Sequence, residues 1–440
     1  MVLALIPGQA ERAATKLKNR WLMAASGVGI HICIGSVYAY SVMTKPVMQL
    51  LDVSADDVKV SFSIAIFFLG ISAAFLGHFV ERYGPRVSGM VSATCWGLGL
   101  VGAGLAIRME SLWMLYLTYG VLGGIGLGTG YITPVSTLVK WFPDRRGMAT
   151  GLAIMGFGFA AMLAGPVMAY LFNAGTSAAP VYTTASVSRT FFICGGVYFA
   201  IMMLSAQYLQ PPPKGYAPAG WDPELAKGRG KRRDDLSQIT ANEALRTRRF
   251  YFMWLMLCIN ITCGIALISV ASPMVQAMLK MSALEAGAVV GLIGVFNGAG
   301  RIIWASASDH LGRPLTYSLF FAIQIVAFAL LPSIRHVLLF QVMLYLIMSC
   351  YGGGFATVPA FLGDLFGTKQ LGAVHGYTLT AWSVAGIVGP SVLITLVRTN
   401  GVTDYTTLMY GCSALFAVAL LTSGLMVLDI RRMRRAMLAA

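Results

Sequence analysis

Twelve apolar blocks follow one another along this chain, at 21–44, 60–80, 87–107, 112–138, 147–172, 188–209, 249–271, 286–307, 314–332, 336–360, 371–396 and 404–429. Crossing the hydrocarbon core of a bilayer takes about 20 residues of helix. In that medium the backbone must pair its own N–H and C=O groups, which makes segments of this kind helical. Most blocks contain several Gly or Ala, which let membrane helices approach closely. The pattern predicts an all-α membrane protein with twelve transmembrane helices. Only 11% of the 440 residues are charged, against about 25% in a soluble domain. An ordinary water-soluble enzyme is excluded.

A formal net charge of +15 would suggest a polyanionic partner until the charges are placed. With both termini cytoplasmic, the segments on that side carry 24 Lys/Arg and 11 Asp/Glu. The opposite side carries 7 and 6, and a single Arg remains inside a span. This positive-inside bias accounts for the excess without nucleic acid. The expected layout is a tail at 1–20, a six-helix half at 21–210, a linker at 211–248 containing Lys231-Arg232-Arg233-Asp234-Asp235, a second half at 249–430 and a basic tail at 431–440. The tail's Arg431-Arg432-Met433-Arg434-Arg435 run reads as an anchor beside anionic lipid. All seven cysteines lie singly in apolar segments, without CxxC, as small apolar residues do. No cleaved signal peptide is read. Neither a Walker loop nor a zinc motif is present, so no metal or cofactor is expected.

The two halves repeat. Glu81 and Gly84 in "GHFVERYGPR" recur as Asp309 and Gly312 in "ASASDHLGR", 228 residues on. Tyr131, Phe142 and Gly165-Pro166 recur as Phe355, Phe366 and Gly389-Pro390 at an offset of 224, and Gly147 and Gly151 as Gly372 and Gly376 at 225. Two homologous six-helix halves pack around a central path with substrate near the bilayer midplane. That architecture implies transport.

The repeated loops read as gates. Gly84 before Pro85 suits a reversal with special backbone needs. Arg82 and Arg86 can reach helix C-termini or acids, and Glu81 can meet helix N-termini. Asp309, Gly312 and Arg313 form the second copy. In "KWFPDRRG", Pro143 separates two helices and Asp144 is placed to cap the second.

Arg301 is the intramembrane charge. It lies eight residues before Asp309, about 12 Å of helix from that end. An arginine at such depth marks a functional position. Every Asp and Glu falls in a loop or at a span end, so the expected neutralising partner is an anionic substrate. A guanidinium offers a carboxylate two parallel hydrogen bonds. Asn297, one turn earlier on the same face, is placed to hold it. His31 could titrate near neutral pH and carry a proton, or serve as a neutral interhelical residue. Tyr38 and Tyr131 can orient a small carboxylate.

These segments resemble the oxalate/formate antiporter family of the major facilitator superfamily, which is similar to the monocarboxylate transporters. The resemblance covers about residues 19–430. It rests on "GYITPVSTLVKWFPDRRGMATG" (130–151), "ALRTRRFYFMW" (244–254), "FNGAGR" (296–301) and "GDLFGT" (363–368). It implies twelve helices, rocker-switch alternating access, transport of small carboxylates and a monomer. The family's essential arginine falls on Arg301, and its substrate-facing aromatics fall on Tyr131 and Phe355. Trp382 stands where the oxalate exchanger has a second essential cation, a lysine. One cation suits a monocarboxylate such as lactate, pyruvate or formate better than a dianion. The monocarboxylate transporters usually place an aspartate where Asn297 stands, which leaves His31 as the proton-coupling candidate and anion exchange as the alternative. A channel, a membrane enzyme or a transporter-like sensor fits the residues less well.

Overall fold

Asn19 accepts the Trp21 amide at the start of α1, which runs Arg20–Gly35 and continues through a tight turn, Ser36–Ala39, into Ser41–Leu51. In this computed structural model residues 17–175, 181–213, 215–221, 235–399 and 402–439 are described. Most of the expected N-terminal tail and the Lys231-Arg232-Arg233-Asp234 run lie outside the described residues. Ala55–Arg108 is a continuous helical run broken at Gly84, where φ is 81° and ψ 167°. Its arms, 55–83 and 85–108, are α2 and α3. Only a residue without Cβ turns this corner without strain, and Pro85 then starts the new helix with its φ preset. The same device recurs between α8 (Ala283–Leu311) and α9 (Arg313–Leu330), where Gly312 has φ 86° and Pro314 lies in the first turn. The repeat read from the sequence is thus a repeat of backbone geometry.

The other spans are α4 (Leu112–Trp141), loosened by a π turn at Tyr116–Leu122, α5 (Arg146–Phe172), α6 (Thr184–Tyr208), α7 (Arg248–Leu279) and α10 (Val337–Phe366). Next comes α11, Leu371–Ile387, extended by a π turn at Val388–Leu393 to Ile394–Leu396. A short antiparallel hairpin, β1 (Arg398–Thr399) with β2 (Val402–Thr403), leads into α12 (Tyr405–Ala439). Counting Asp56–Arg108 once, 10 described helices are long and apolar enough to cross a membrane. The break at Gly84 and the π-interrupted α11 bring the spans to the twelve expected. Several helices outrun their apolar blocks. The last turns of α10, for example, bury Phe361, Leu362, Leu365 and Phe366, because helix length follows backbone pairing and packing as well as hydropathy.

Helices α1–α6 and α7–α12 form two halves that meet along two seams of small residues. A Cβ on Gly151 of α5 would sit 2.6 Å from the Arg301 carbonyl oxygen of α8, and one on Gly158 would sit 2.8 Å from the Gly298 Cα. At the other seam, a Cβ on Gly77 of α2 would sit 2.5 Å from the Ala373 Cα of α11, and one on Gly376 would run into the Ala73 carbonyl. The Gly147/Gly151 and Gly372/Gly376 repeat therefore supplies both interfaces. These contacts gather toward the face where α1 begins and α12 ends, called here the terminal face. Toward the opposite face, Cβ atoms on Gly294, Gly291 and Gly287, one to three turns along the same stripe of α8, would meet nothing within 4 Å.

The end of the linker docks on the second half. Leu236 and Ile239 donate their amides to the Asp364 and Phe366 carbonyls at 2.9 and 3.2 Å, and the Ser237 hydroxyl donates to Leu365 at 2.6 Å. Ala241 donates its amide to the Gln370 side chain at 2.8 Å. This strap closes the end of α10 before a single helical turn, Ala241–Ala244, leads to α7.

Gly376→Ala and Gly424→Ala should move stability in opposite directions. The first forces a methyl into a backbone carbonyl, an overpacking that costs about 1–3 kcal/mol. The second adds a methyl in open space on α12 and should gain about 0.5–1 kcal/mol of helix stability. Thermal unfolding of the purified protein in detergent checks the pair, and equal midpoints would contradict the packing at the α2–α11 seam.

Candidate functional site

Arg301 is held from three sides. Glycines on α10 let α8 press against it, with Gly352 at the Asn297 carbonyl and Gly353 against the Trp304 ring. Trp304 donates its indole N–H to the Ser349 hydroxyl at 3.2 Å. On the other flank, Gly156 and Gly158 let α5 approach α1 and α8 together, which places Phe157 between them. The guanidinium is fully buried. Its Nε donates to Asn297 Oδ1 at 3.3 Å and its Nη1 to the Ile154 carbonyl at 3.1 Å. Its carbon lies 5.7 Å from the centre of the Phe157 ring and 5.5 Å from that of Phe355, within cation–π range. Among the described residues no carboxylate pairs with it and Nη2 has no protein partner. A buried, unpaired guanidinium is unfavourable by several kcal/mol.

An aromatic box surrounds this charge. Trp382 lies 4.6 Å from Phe355, 5.3 Å from Tyr131 and 5.6 Å from Phe157, ring centre to ring centre. Tyr38 meets Phe157 edge-on at 4.9 Å, and its hydroxyl lies in the electrostatic reach of Arg301 and Tyr351. His31 donates from Nδ1 to the Gly27 carbonyl at 3.1 Å and stands edge-on to Tyr131 at 5.3 Å. The structure therefore brings Arg301, Asn297, Tyr131, Phe355, Trp382, Tyr38 and His31 to one place. Besides Arg301 Nη2, five polar atoms there have no hydrogen-bond partner among the described residues: the hydroxyls of Tyr38, Tyr131 and Tyr351, His31 Nε2 and Trp382 Nε1. Buried polar groups are nearly always paired, with protein or with water, so these atoms call for water or a ligand at this place. Tyr40 belongs elsewhere, bonded to the Val58 carbonyl and the Ser61 hydroxyl in the α1–α2 contact.

At the terminal face two carboxylates each reach across to the other half. Asp309 accepts the amides of Gly147 and Met148, both at 2.9 Å, at the start of α5. Glu81 accepts the Gly372 amide at 2.8 Å, at the start of α11. Free amides and the positive dipole end of a helix favour an anion there. Arg313 braces Asp309 at 2.6 Å, and Lys140 braces Glu81 at 2.8 Å. Arg146 pairs with Asp235 of the strap at 2.7 Å and with Asp364 at 3.1 Å, and Arg313 also reaches Asp364 at 3.3 Å. Gly84 and Gly312 supply the turns behind both carboxylates. Arg86 donates to the Gln207 carbonyl near the end of α6 at 2.9 Å, whereas Arg82 is exposed and lies over Tyr83. Asp144 does not cap α5. It pairs with Arg20 at 2.9 Å, and Asp309 caps α5 from across the seam.

Sequence reasoning passed over Phe157, Tyr351 and the Ile154 carbonyl. Tyr351 sits one turn before Phe355, as Asn297 sits one turn before Arg301, and that spacing was a readable signal. Phe157 between Gly156 and Gly158 looks like any apolar residue until its flanking glycines are known to face two different helices.

Two six-helix halves, closed at one face by reciprocal caps around a buried cationic site, define a membrane transporter rather than an enzyme. A family model described as Major Facilitator Superfamily matches residues 27–390, and the chain belongs to that superfamily. The oxalate:formate antiporter of Oxalobacter formigenes is 27% identical to it, over 85% of this chain and 84% of that one. Apicoplast pyruvate carrier 1 of Toxoplasma gondii is 22% identical, over 94% of this chain and 91% of its own. Among solved structures, the E. coli fucose:proton symporter superposes with a TM-score of 0.67 at 12% identity, covering 93% of this chain and 99% of that one. At that identity the likeness concerns the fold alone.

Replacing Asp309 by Asn keeps one acceptor and removes the charge. Hydrogen bonds to a charged group contribute about 1.5–3 kcal/mol, so amide hydrogen exchange at Gly147 and Met148 should quicken about tenfold or more. Unchanged protection at both amides would mean that the carboxylate does not hold the seam.

Proposed function

We propose that this protein is a secondary transporter of a small monocarboxylate of the lactate, pyruvate or formate class, working by alternating access in the cytoplasmic membrane. The observation that carries this reading is Arg301, buried without a carboxylate partner and with Nη2 directed at no protein acceptor. A substrate carboxylate would take the missing place, with Tyr131 or Tyr38 donating to it. Phe355 and Trp382 would form an apolar wall for a short alkyl group. The terminal face would be the cytoplasmic one, its basic loops agreeing with the positive-inside rule. The conformation then has its cytoplasmic side latched by Glu81 and Asp309, while α5 and α8 part toward the outside. Gly84, Gly312, Arg86 and Arg313 would keep those latches in register as the halves rock, and Arg82 would contribute charge to the loop. The names of the antiporter and the pyruvate carrier support a carboxylate substrate.

Arg301→Lys keeps the charge but loses the planar fork that matches a carboxylate. Uptake into proteoliposomes should fall at least about tenfold while the protein still reaches the membrane, and wild-type uptake by this variant would remove the assigned role.

A second reading, carboxylate exchange of the oxalate/formate kind, has the antiporter likeness in its favour. Trp382 speaks against it, because its indole lines the box against Tyr131, Phe157 and Phe355 and supplies no second positive charge for a dianion. Oxalate should therefore compete with labelled lactate or formate at least about tenfold more weakly than either unlabelled monocarboxylate. Strong oxalate/formate exchange by the wild type would decide for the second reading.

A further inference from the structure

At the terminal face a cavity of about 180 Å³ lies between the start of α1, the Gly84 corner and the first residues after α6. It has no part in the site around Arg301. Lys18, Tyr83, Arg86 and Gln210 line it; both charged groups are positive, and among the described residues no carboxylate joins them. Lys18 donates from Nζ to the Tyr208 carbonyl at 3.0 Å, and Arg86 from Nη2 to the Gln207 carbonyl at 2.9 Å. The C-terminal end of a helix favours cations, which explains why both gather at the end of α6. Each bond uses a single N–H, however, and an ammonium has three and a guanidinium five. The two charges also feel one another. Burial, and then the neighbouring Arg86, hold the Lys18 ammonium below its usual range. The acids of this region are engaged elsewhere: Glu81 with Lys140 and Gly372, and Asp144 with Arg20. At the corner itself a Cβ on Gly84 would meet nothing within 4 Å. An open cleft walled by one sign of charge, with donors to spare, attracts an anion.

The place of the cavity selects the anion. α1 begins at Arg20, α6 ends at Tyr208 and Pro85 opens α3, so the cavity sits where spans meet the headgroup layer. Trp21, Leu22 and Tyr83 beside it are exposed, and exposed aromatic rings at span ends belong to that layer. Basic pockets between helix ends there bind anionic headgroups. We propose that this cavity holds the phosphate group of an anionic phospholipid, with Lys18 and Arg86 donating to its oxygens and an acyl chain lying along Trp21 and Leu22. A zwitterionic lipid fits less well, because its own cation meets two more and no acid. The seat backs onto the corner from which Glu81 reaches across to cap α11 at Gly372. A phosphate bridging Lys18 and Arg86 ties that corner to the start of α1 and steadies the cap. The proposal is independent of what Arg301 binds.

Native mass spectrometry of the full chain in detergent, titrated with phosphatidylglycerol, phosphatidylcholine or inorganic phosphate, tests this. Wild type should retain one phosphatidylglycerol at least about tenfold more tightly than phosphatidylcholine. Lys18→Gln or Arg86→Gln should bring the two lipids to within about threefold of each other; either variant suffices, so misfolding of one leaves the comparison to the other. Arg248→Gln removes an exposed cation at the start of α7 and should leave the preference intact. Equal retention of the two lipids by wild type would overturn the proposal. So would an Arg248→Gln effect as large as that of Lys18→Gln, which would assign the preference to diffuse surface charge. Displacement of the lipid by inorganic phosphate at equal concentration would give the cavity to a soluble anion and also overturn it. Amide exchange reads the cap separately. Phosphatidylglycerol should slow exchange at Gly372 in wild type and not in Lys18→Gln, and an unchanged rate in wild type would remove the link to the corner.

Discussion

A guanidinium in a low-dielectric interior without a carboxylate is the constraint around which this molecule is arranged. Arg301 is not left entirely bare. Two of its N–H directions are used by Asn297 and the Ile154 carbonyl, and two ring faces lie against it. These neutral partners orient the group without cancelling its charge, so on the proposed reading an arriving anion would meet a donor already aimed. An aspartate in the Asn297 position would neutralise the arginine from within and leave less of its field for a ligand.

That same residue lies on the seam between the halves. Its carbonyl faces Gly151 and its Nε lies 3.1 Å from where a Cβ on Gly158 would be. Binding at the guanidinium and packing of α5 on α8 therefore share atoms. The second seam, α2 on α11, carries Trp382 and His375 on one side of the box and Glu81 at its end. The guanidinium, seams and caps form a contiguous set, and a change in one is felt sterically in the others because backbones in contact cannot yield by rotating a side chain.

Much of this was legible in the sequence because it depends on residue types with few alternatives. Only glycine suits the φ of Gly84 and Gly312, so their repetition 228 residues apart foretold the corner of each half. An isolated arginine in an apolar block could be read at once, since nothing in hydrocarbon tolerates it without a purpose. Interactions across the seams were hidden. Asp144 stands at the right spacing to cap α5, yet Arg20, over a hundred residues away, takes it, and Asp309 from the other half does the capping. Such a swap is invisible to local rules, which price a cap by sequence distance alone.

The strap after the linker has a mechanical consequence. Its backbone is bonded to the end of α10, so residues 235–241 belong physically to the second half although they precede its first span. Asp235 opens the strap, and its carboxylate holds Arg146 of the first half. The strap is thus tied to both halves, by its backbone to α10 and by this ion pair to α5, so its docking and the closure of the terminal face act on the same few atoms.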